Sequence, residues 1–112
     1  MKKNLSALQS EHRRLARILA RIGFVSQGSV FVRAEGAPGS RYQWTWKDSR
    51  QKTTSLTLSV EQFAWLRKAI ANQRQVDRIL EKMRRLSKRI VVEHLPAPAR
   101  RKSLSIKPLH LN

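Results

Sequence analysis

Leu5, Leu8, Leu15, Leu19 and Ile22 recur at spacings of three, four and seven, and His12 fills the seam position between Leu8 and Leu15. Spacings that return to one side of a 3.6-residue turn predict an amphipathic helix over the first 22 residues. Ala7, Ala16 and Ala20 favour helix, and neither glycine nor proline occurs before Gly23, the expected stop. Beyond Gly23 the pattern shortens to strict alternation. Ser29-Val30-Phe31-Val32-Arg33 is β-branched and aromatic, while Arg41-Tyr42-Gln43-Trp44-Thr45-Trp46-Lys47 and Gln51–Ser59 alternate apolar or aromatic with polar positions. Gly36-Ala37-Pro38-Gly39-Ser40 and Asp48-Ser49-Arg50 separate these runs as turns. Three short strands with short connections predict an antiparallel meander.

Ser59 is suited to cap a following helix, with Glu61 and Gln62 in its first turn, where carboxylates and acceptors meet unpaired N–H groups. Phe63, Leu66 and Ile70 form one apolar face, which Val76, Ile79, Met83, Leu86 and Ile90 continue as a heptad-like stripe. With no glycine or proline from 60 to 92, a helix of up to ~33 residues is predicted, with Ala71-Asn72-Gln73 as its expected bend. Leu95-Pro96-Ala97-Pro98 and Arg100-Arg101-Lys102 then read as an extended, flexible basic tail. The expectation is an α+β fold: N-terminal helix, three-stranded antiparallel sheet, long C-terminal helix and basic extended tail. One domain should cover residues 1–92 and the tail 93–112. The seams at 5–22 and 76–90 either pack antiparallel within the chain, with the sheet projecting at one end, or pair between chains as a homodimer.

Charge changes the picture most. Lysine and arginine outnumber aspartate and glutamate 24 to 7 over 112 residues, a formal +17. Self-repulsion at this density opposes compaction, and a nucleic acid is the natural compensating polyanion. The excess is +5 over residues 1–22, +3 over 23–59, +6 over 60–92 and +3 over 93–112. The folded body, and not a tail alone, should therefore be positive.

Other chemistries find little support. There is no cysteine, which removes disulfides, thiolate metal sites and a cysteine nucleophile. His12 sits in a helix seam and His94 and His110 in the expected tail, without metal-ligand spacing. Asp77 and Glu81 share a helix face but have Arg74, Arg78, Lys82 and Arg85 around them, which favours ion pairs over a metal. The four glycines form no phosphate-binding fingerprint. No catalytic residue, metal or cofactor is expected, and the chain reads as a non-enzyme. The N-terminus is basic but lacks the apolar core of a signal peptide, and no apolar run reaches membrane-spanning length, so a cytoplasmic location is expected.

Alternation places Tyr42, Trp44 and Trp46 on one face of the sheet with Thr54, Leu56 and Leu58. That face is expected to pack as core on Phe63, Trp65 and Leu66. In the other reading Trp44 or Trp46 is exposed and stacks on unpaired bases. The opposite face collects Arg41, Gln43, Thr45 and Lys47 with Lys52, Thr53, Ser55 and Thr57, residue types that meet phosphates and base edges. Arg33 and Arg50 extend it. On the long helix Arg67, Arg74, Arg78, Arg85 and Arg89 recur at sevens and fours as a basic stripe. Arg100, Arg101 and Lys102 add the tail's phosphate contacts.

The order Gly28-Ser29-Val30-Phe31-Val32-Arg33, Arg41-Tyr42-Gln43-Trp44-Thr45-Trp46, Lys52 to Ser59 and the helix from Val60 resembles a family of short prokaryotic proteins of unknown function encoded beside transposases. The similarity covers roughly residues 5–90. Members usually carry a cysteine in the turn before the aromatic strand. Ala34 to Ser40 has none here, so a metal or redox role at that turn is not implied. Three strands followed by a helix are also similar to the AP2-like arm-binding domains of tyrosine integrases, which lay a small sheet in the DNA major groove. That resemblance implies Arg33, Arg41, Gln43, Lys47 and Lys52 as groove-facing residues. Together these readings predict a nucleic-acid-binding accessory of a mobile element or nucleoprotein machine, with DNA favoured over RNA and a transposase or integrase as a protein partner. The alternatives are an RNA-binding subunit of a ribonucleoprotein and a helical protein-interaction module or dimer.

Overall fold

The computed structural model describes residues 3–33 and 41–99. Its elements are α1 (Leu5–Arg21), β1 (Ser29–Val32), β2 (Tyr42–Lys47), β3 (Thr53–Leu58) and α2 (Val60–His94). This is the expected α+β order. The strands lie side by side as β1-β2-β3, each antiparallel to the next.

Both helix starts are written in the local sequence. Asn4 precedes α1, and its Oδ1 accepts the Ala7 N–H at 2.7 Å. Ser59 opens α2 with a reciprocal box, in which the Gln62 N–H donates to Ser59 Oγ (3.1 Å) and the Ser59 N–H to Gln62 Oε1 (2.9 Å). Removing such a cap typically costs about 0.5–2 kcal/mol. At the other end of α1 the chain turns extended at Ile22, just before Gly23.

Two expectations for α2 are corrected. The helix is 35 residues long and runs unbroken through Ala71-Asn72-Gln73. There the polar side chains are engaged outside the helical backbone ladder: Asn72 Nδ2 donates to the Phe24 carbonyl (2.9 Å) and Gln73 Nε2 to Asp77 Oδ1 (3.0 Å). The helix also takes in Glu93 and His94, so the border with the tail moves from 92/93 to 94/95. Arg89 bonds Glu93 (2.9 Å), and the His94 ring N–H donates to the Lys3 carbonyl (2.9 Å), tying the last turn to the start of α1. Residues 95–99 continue without regular structure, exposed. Residues 100–112, the rest of the expected tail, lie outside the described residues.

Two small cores sit on α2, one behind the other. Leu58, Leu66, Ala69 and Ile70 are buried where the sheet crosses its first half, and Leu8, Leu15 and Ile79 where α1 runs antiparallel along its second half. The helical seams thus meet within one chain.

The aromatic face of the sheet turns toward α2 as expected, but it is not a closed core. Tyr42 meets Phe63 at 4.7 Å between ring centroids, and Trp44 stacks on Trp46 at 4.0 Å, yet all three β2 aromatics are only half-buried. Trp65 remains 51% exposed. The reason is coverage: a six-residue strand runs about 20 Å, whereas a helix is about 10 Å wide. Tyr42 lies against Phe63 of the helix, while Trp46 stacks on Trp44.

The segment between α1 and β1 wraps this junction. Phe24 packs on Trp65 (5.3 Å), the Ser26 N–H donates to the Ala69 carbonyl (3.2 Å) and the Trp44 indole N–H to the Gln27 carbonyl (3.0 Å). Gly28 follows at φ 87°, and a Cβ there would stand 2.2 Å from the Thr45 carbonyl oxygen and 2.9 Å from Trp44 Nε1. Only glycine fits. At the β2–β3 turn, Asp48 Oδ1 accepts the N–H groups of Arg50 (2.8 Å) and Lys52 (3.0 Å), and Gln51 closes the turn at φ 64°.

Two opposite changes in stability follow. Gly28→Ala should lose at least about 1–3 kcal/mol, as backbone strain alone costs that much. Gln51→Gly should gain about 0.5–1 kcal/mol, because a left-handed conformation that costs a side-chain-bearing residue costs glycine nothing. Urea unfolding followed by tryptophan fluorescence checks both.

Candidate nucleic-acid interface

The pairing register assembles the exposed face of the sheet row by row. Ser29 pairs with Thr45 and Thr45 with Ser55; Phe31 pairs with Gln43 and Gln43 with Thr57; Lys47 pairs with Thr53. The ladder extends one step beyond β1, where the Arg33 N–H donates to the Arg41 carbonyl (2.6 Å). Alternation then places Arg33, Arg41, Phe31, Gln43, Ser29, Thr45, Thr57, Ser55, Lys47 and Thr53 on the side away from α2. Gln43 Nε2 donates to Thr57 Oγ1 (3.1 Å), which fixes the amide in the middle of the sheet. The platform measures about 20 Å along the strands and about 10 Å across them. That breadth is close to the roughly 12 Å width of a major groove.

Lys52 does not share this face. It precedes β3 and alternates with Thr54, opposite Asp48 at the hairpin end. With exposed Arg50 it belongs to the hairpin tip beside Lys47. The turn closes by pairing Asp48 with Lys52, which sets Lys52 in phase with Thr54 and out of phase with Thr53.

Phe31 was not anticipated on the open face. It is 46% exposed, two residues before Arg33 and opposite Gln43 in register. The signal was present in the sequence, as Phe31 is out of phase with Val30 and Val32. The β1–β2 register needed to use it was not. Trp44 and Trp46, the aromatics first considered for stacking, lie on the other side, and the Trp44 N–H is tied to Gln27.

Along α2, Arg67, Arg74, Arg78, Arg85 and Arg89 fall within an arc of about 60° at 100° per residue and span about 33 Å. Arg67, Arg74, Arg78 and Arg85 are exposed, and Arg89 is half-buried. Glu81 pairs with Arg85 (3.3 Å) and with Arg84 (3.9 Å), while Glu93 pairs with Arg89 (2.9 Å). The hydrogen bond that Arg89 donates to the Glu93 carboxylate raises the Arg89 pKa above its ordinary value. The Glu81–Arg85 pair is exposed, and an exposed pair is weak enough for a phosphate to displace the carboxylate. Among the described residues, Arg67, Arg74 and Arg78 form no salt bridge.

Helix α1 adds charge that the stripe did not anticipate. Arg14, which bonds Glu11 at 2.5 Å, lines a cleft between the helices with Arg78 and Lys82. Its link to Arg14 holds the Glu11 carboxyl below the usual carboxylate range.

No protein-family model, curated protein or solved structure matches this chain.

The remaining side chains with chemical potential are held structurally. His12 faces Ser87 and Ile90 across the helix seam, and His94 bonds Lys3. His110, Arg100, Arg101 and Lys102 lie outside the described residues. Among the described residues no cluster of three or more histidine or acidic side chains is placed to hold a metal, and no helix is long and apolar enough to cross a membrane.

Residues 3–33 and 41–99 contain 19 Lys/Arg and 6 Asp/Glu, a net +13. Most of the excess charge is therefore carried by the folded body.

Proposed function

We propose that this chain is a non-enzymatic nucleic-acid-binding protein that engages DNA through the open face of its sheet and the arginine stripe of α2. The observation that carries the reading is the grouping of cations on surfaces of nucleic-acid dimensions. Arg33, Arg41 and Lys47 frame the sheet, and Arg67, Arg74 and Arg78 form the free end of a stripe about as long as one duplex turn. Strand β1 is the border the two surfaces share. Phe31 belongs to the open face and also to a groove wall with Arg67 and Arg74. Arginines and Lys47 take phosphates, which sets affinity. Gln43, held by Thr57, is the group suited to a base edge, which sets preference. The resemblance to proteins encoded beside transposases makes an accessory role in a mobile element the biological setting we favour, with a transposase or integrase as partner in a cytoplasmic nucleoprotein complex.

Exposed Phe31 supports a second reading. A flat ring between arginines stacks on an unpaired base of RNA or single-stranded DNA as readily as it packs against a duplex. Double-stranded and single-stranded probes of equal length separate the two readings.

Fluorescence anisotropy against a ~20-bp duplex tests the main one. Six phosphate contacts from the residues named above give a slope of log affinity against log salt near −5. A slope between 0 and −2 would contradict it. Gln43→Ala should reduce discrimination between sequences by about 1–3 kcal/mol. Arg74→Ala with Arg78→Ala should weaken all sequences alike and reduce the slope by about 2.

A further inference from the structure

Strand β1 is an edge strand, and among the described residues no strand pairs with its outer edge. The Arg33–Arg41 bond makes that pair a hydrogen-bonded one, so by antiparallel alternation Phe31 and Ser29 also exchange bonds with β2. The N–H and C=O groups of Val30 and Val32 then point away from β2, and among the described residues no backbone group bonds them. The side chains of the same two valines wall a groove of about 470 Å³ between β1 and α2. Phe63, Ile70 and Ala71 line its helix side, and Arg67 and Arg74 stand along it. Val32 is 48% exposed there.

We propose that this groove binds an extended, acidic segment of a partner protein by strand addition to β1. Three features select that occupant. The free edge offers donors and acceptors in alternation, which a peptide satisfies and a phosphodiester, having only acceptors, does not. The apolar wall suits alternate aliphatic side chains of a strand. Arg67 and Arg74 are seven residues apart, about 10 Å along the helix. That lies between the roughly 7 and 14 Å separating carboxylates two and four residues apart on one side of a strand. A second copy of the chain is a poor occupant, because it would bring another +17 against the same arginines. The inference stands independently of the nucleic-acid reading.

Proline at an outward-facing position of an edge strand removes one donor without breaking the sheet. Val32→Pro is such a change, since the preceding Phe31 is already extended. The probe is a dye-labelled nine-residue peptide alternating aspartate with valine, titrated into the full chain by anisotropy. Its controls are the same peptide N-methylated on alternate backbone amides, which keeps its charge, and a lysine–valine version. We expect binding of the acidic peptide, at least tenfold loss on N-methylation, and at least tenfold loss in Val32→Pro and in Arg67→Glu with Arg74→Glu. Val32→Pro should leave thermal unfolding nearly unchanged. Should that variant fail to fold, the N-methylated peptide on the unaltered chain still decides. No binding, or binding indifferent to N-methylation, would overturn the proposal, the latter reducing it to charge attraction. Self-association that disappears in Val32→Pro, seen by sedimentation, would also overturn it by making a second copy the occupant.

Discussion

Everything in this fold leans on the continuity of α2. Among the described residues, neither the three-stranded sheet nor α1 has a second surface to pack against, so each buries its apolar side on a different stretch of the same helix. Leu58 meets Leu66, Ala69 and Ile70 in the first half, and Leu8 and Leu15 meet Ile79 in the second. A hinge at residues 71–73 would uncouple the two cores, each too small to persist alone. The Ser59–Gln62 box at one end and the His94–Lys3 bond at the other close the arrangement. Between them, Asn72 and the Ala69 carbonyl hold the crossing segment against the helix midpoint.

Thin cores and high charge set conditions on each other. Among the described residues, six buried leucine and isoleucine side chains, at about 1.5–3 kcal/mol each before entropy is counted, leave a small margin against repulsion within a +17 chain. The visible relief is local: Glu11 with Arg14, Glu81 with Arg84 and Arg85, Glu93 with Arg89. These pairs neutralise parts of the helices. Arg67, Arg74 and Arg78 gain nothing from them. A bound polyanion would supply that compensation and, by binding only the folded form, would stabilise it. On this account the exposed cations favour a folded state completed by its ligand.

Much of this was legible in the sequence because alternation and helical spacing are local. The turn chemistry of Asp48, the cap at Ser59 and the seam of Leu8, Leu15 and Ile79 depend on neighbours in the chain. What escaped depends on who sits opposite whom. Phe31 reached the open face through its pairing with Gln43, and Lys52 left it because the hairpin closes on Asp48. The half-exposure of Trp44 and Trp46 reflects the width of a single helix, which no strand pattern encodes. His94 belongs to α2 because its ring finds the Lys3 carbonyl 91 positions earlier, a long-range contact that composition near the prolines conceals.

The most direct test of the central claim is an amide chemical-shift map of the full chain during titration with a 20-bp duplex. The account predicts shifts concentrated at residues 29–33, 41–47 and the arginine face of α2 from 67 to 78, with the Leu8, Leu15 and Ile79 seam unmoved. Shifts confined to residues 100–112, with the sheet and α2 silent, would contradict it by leaving the folded surface without a role in binding.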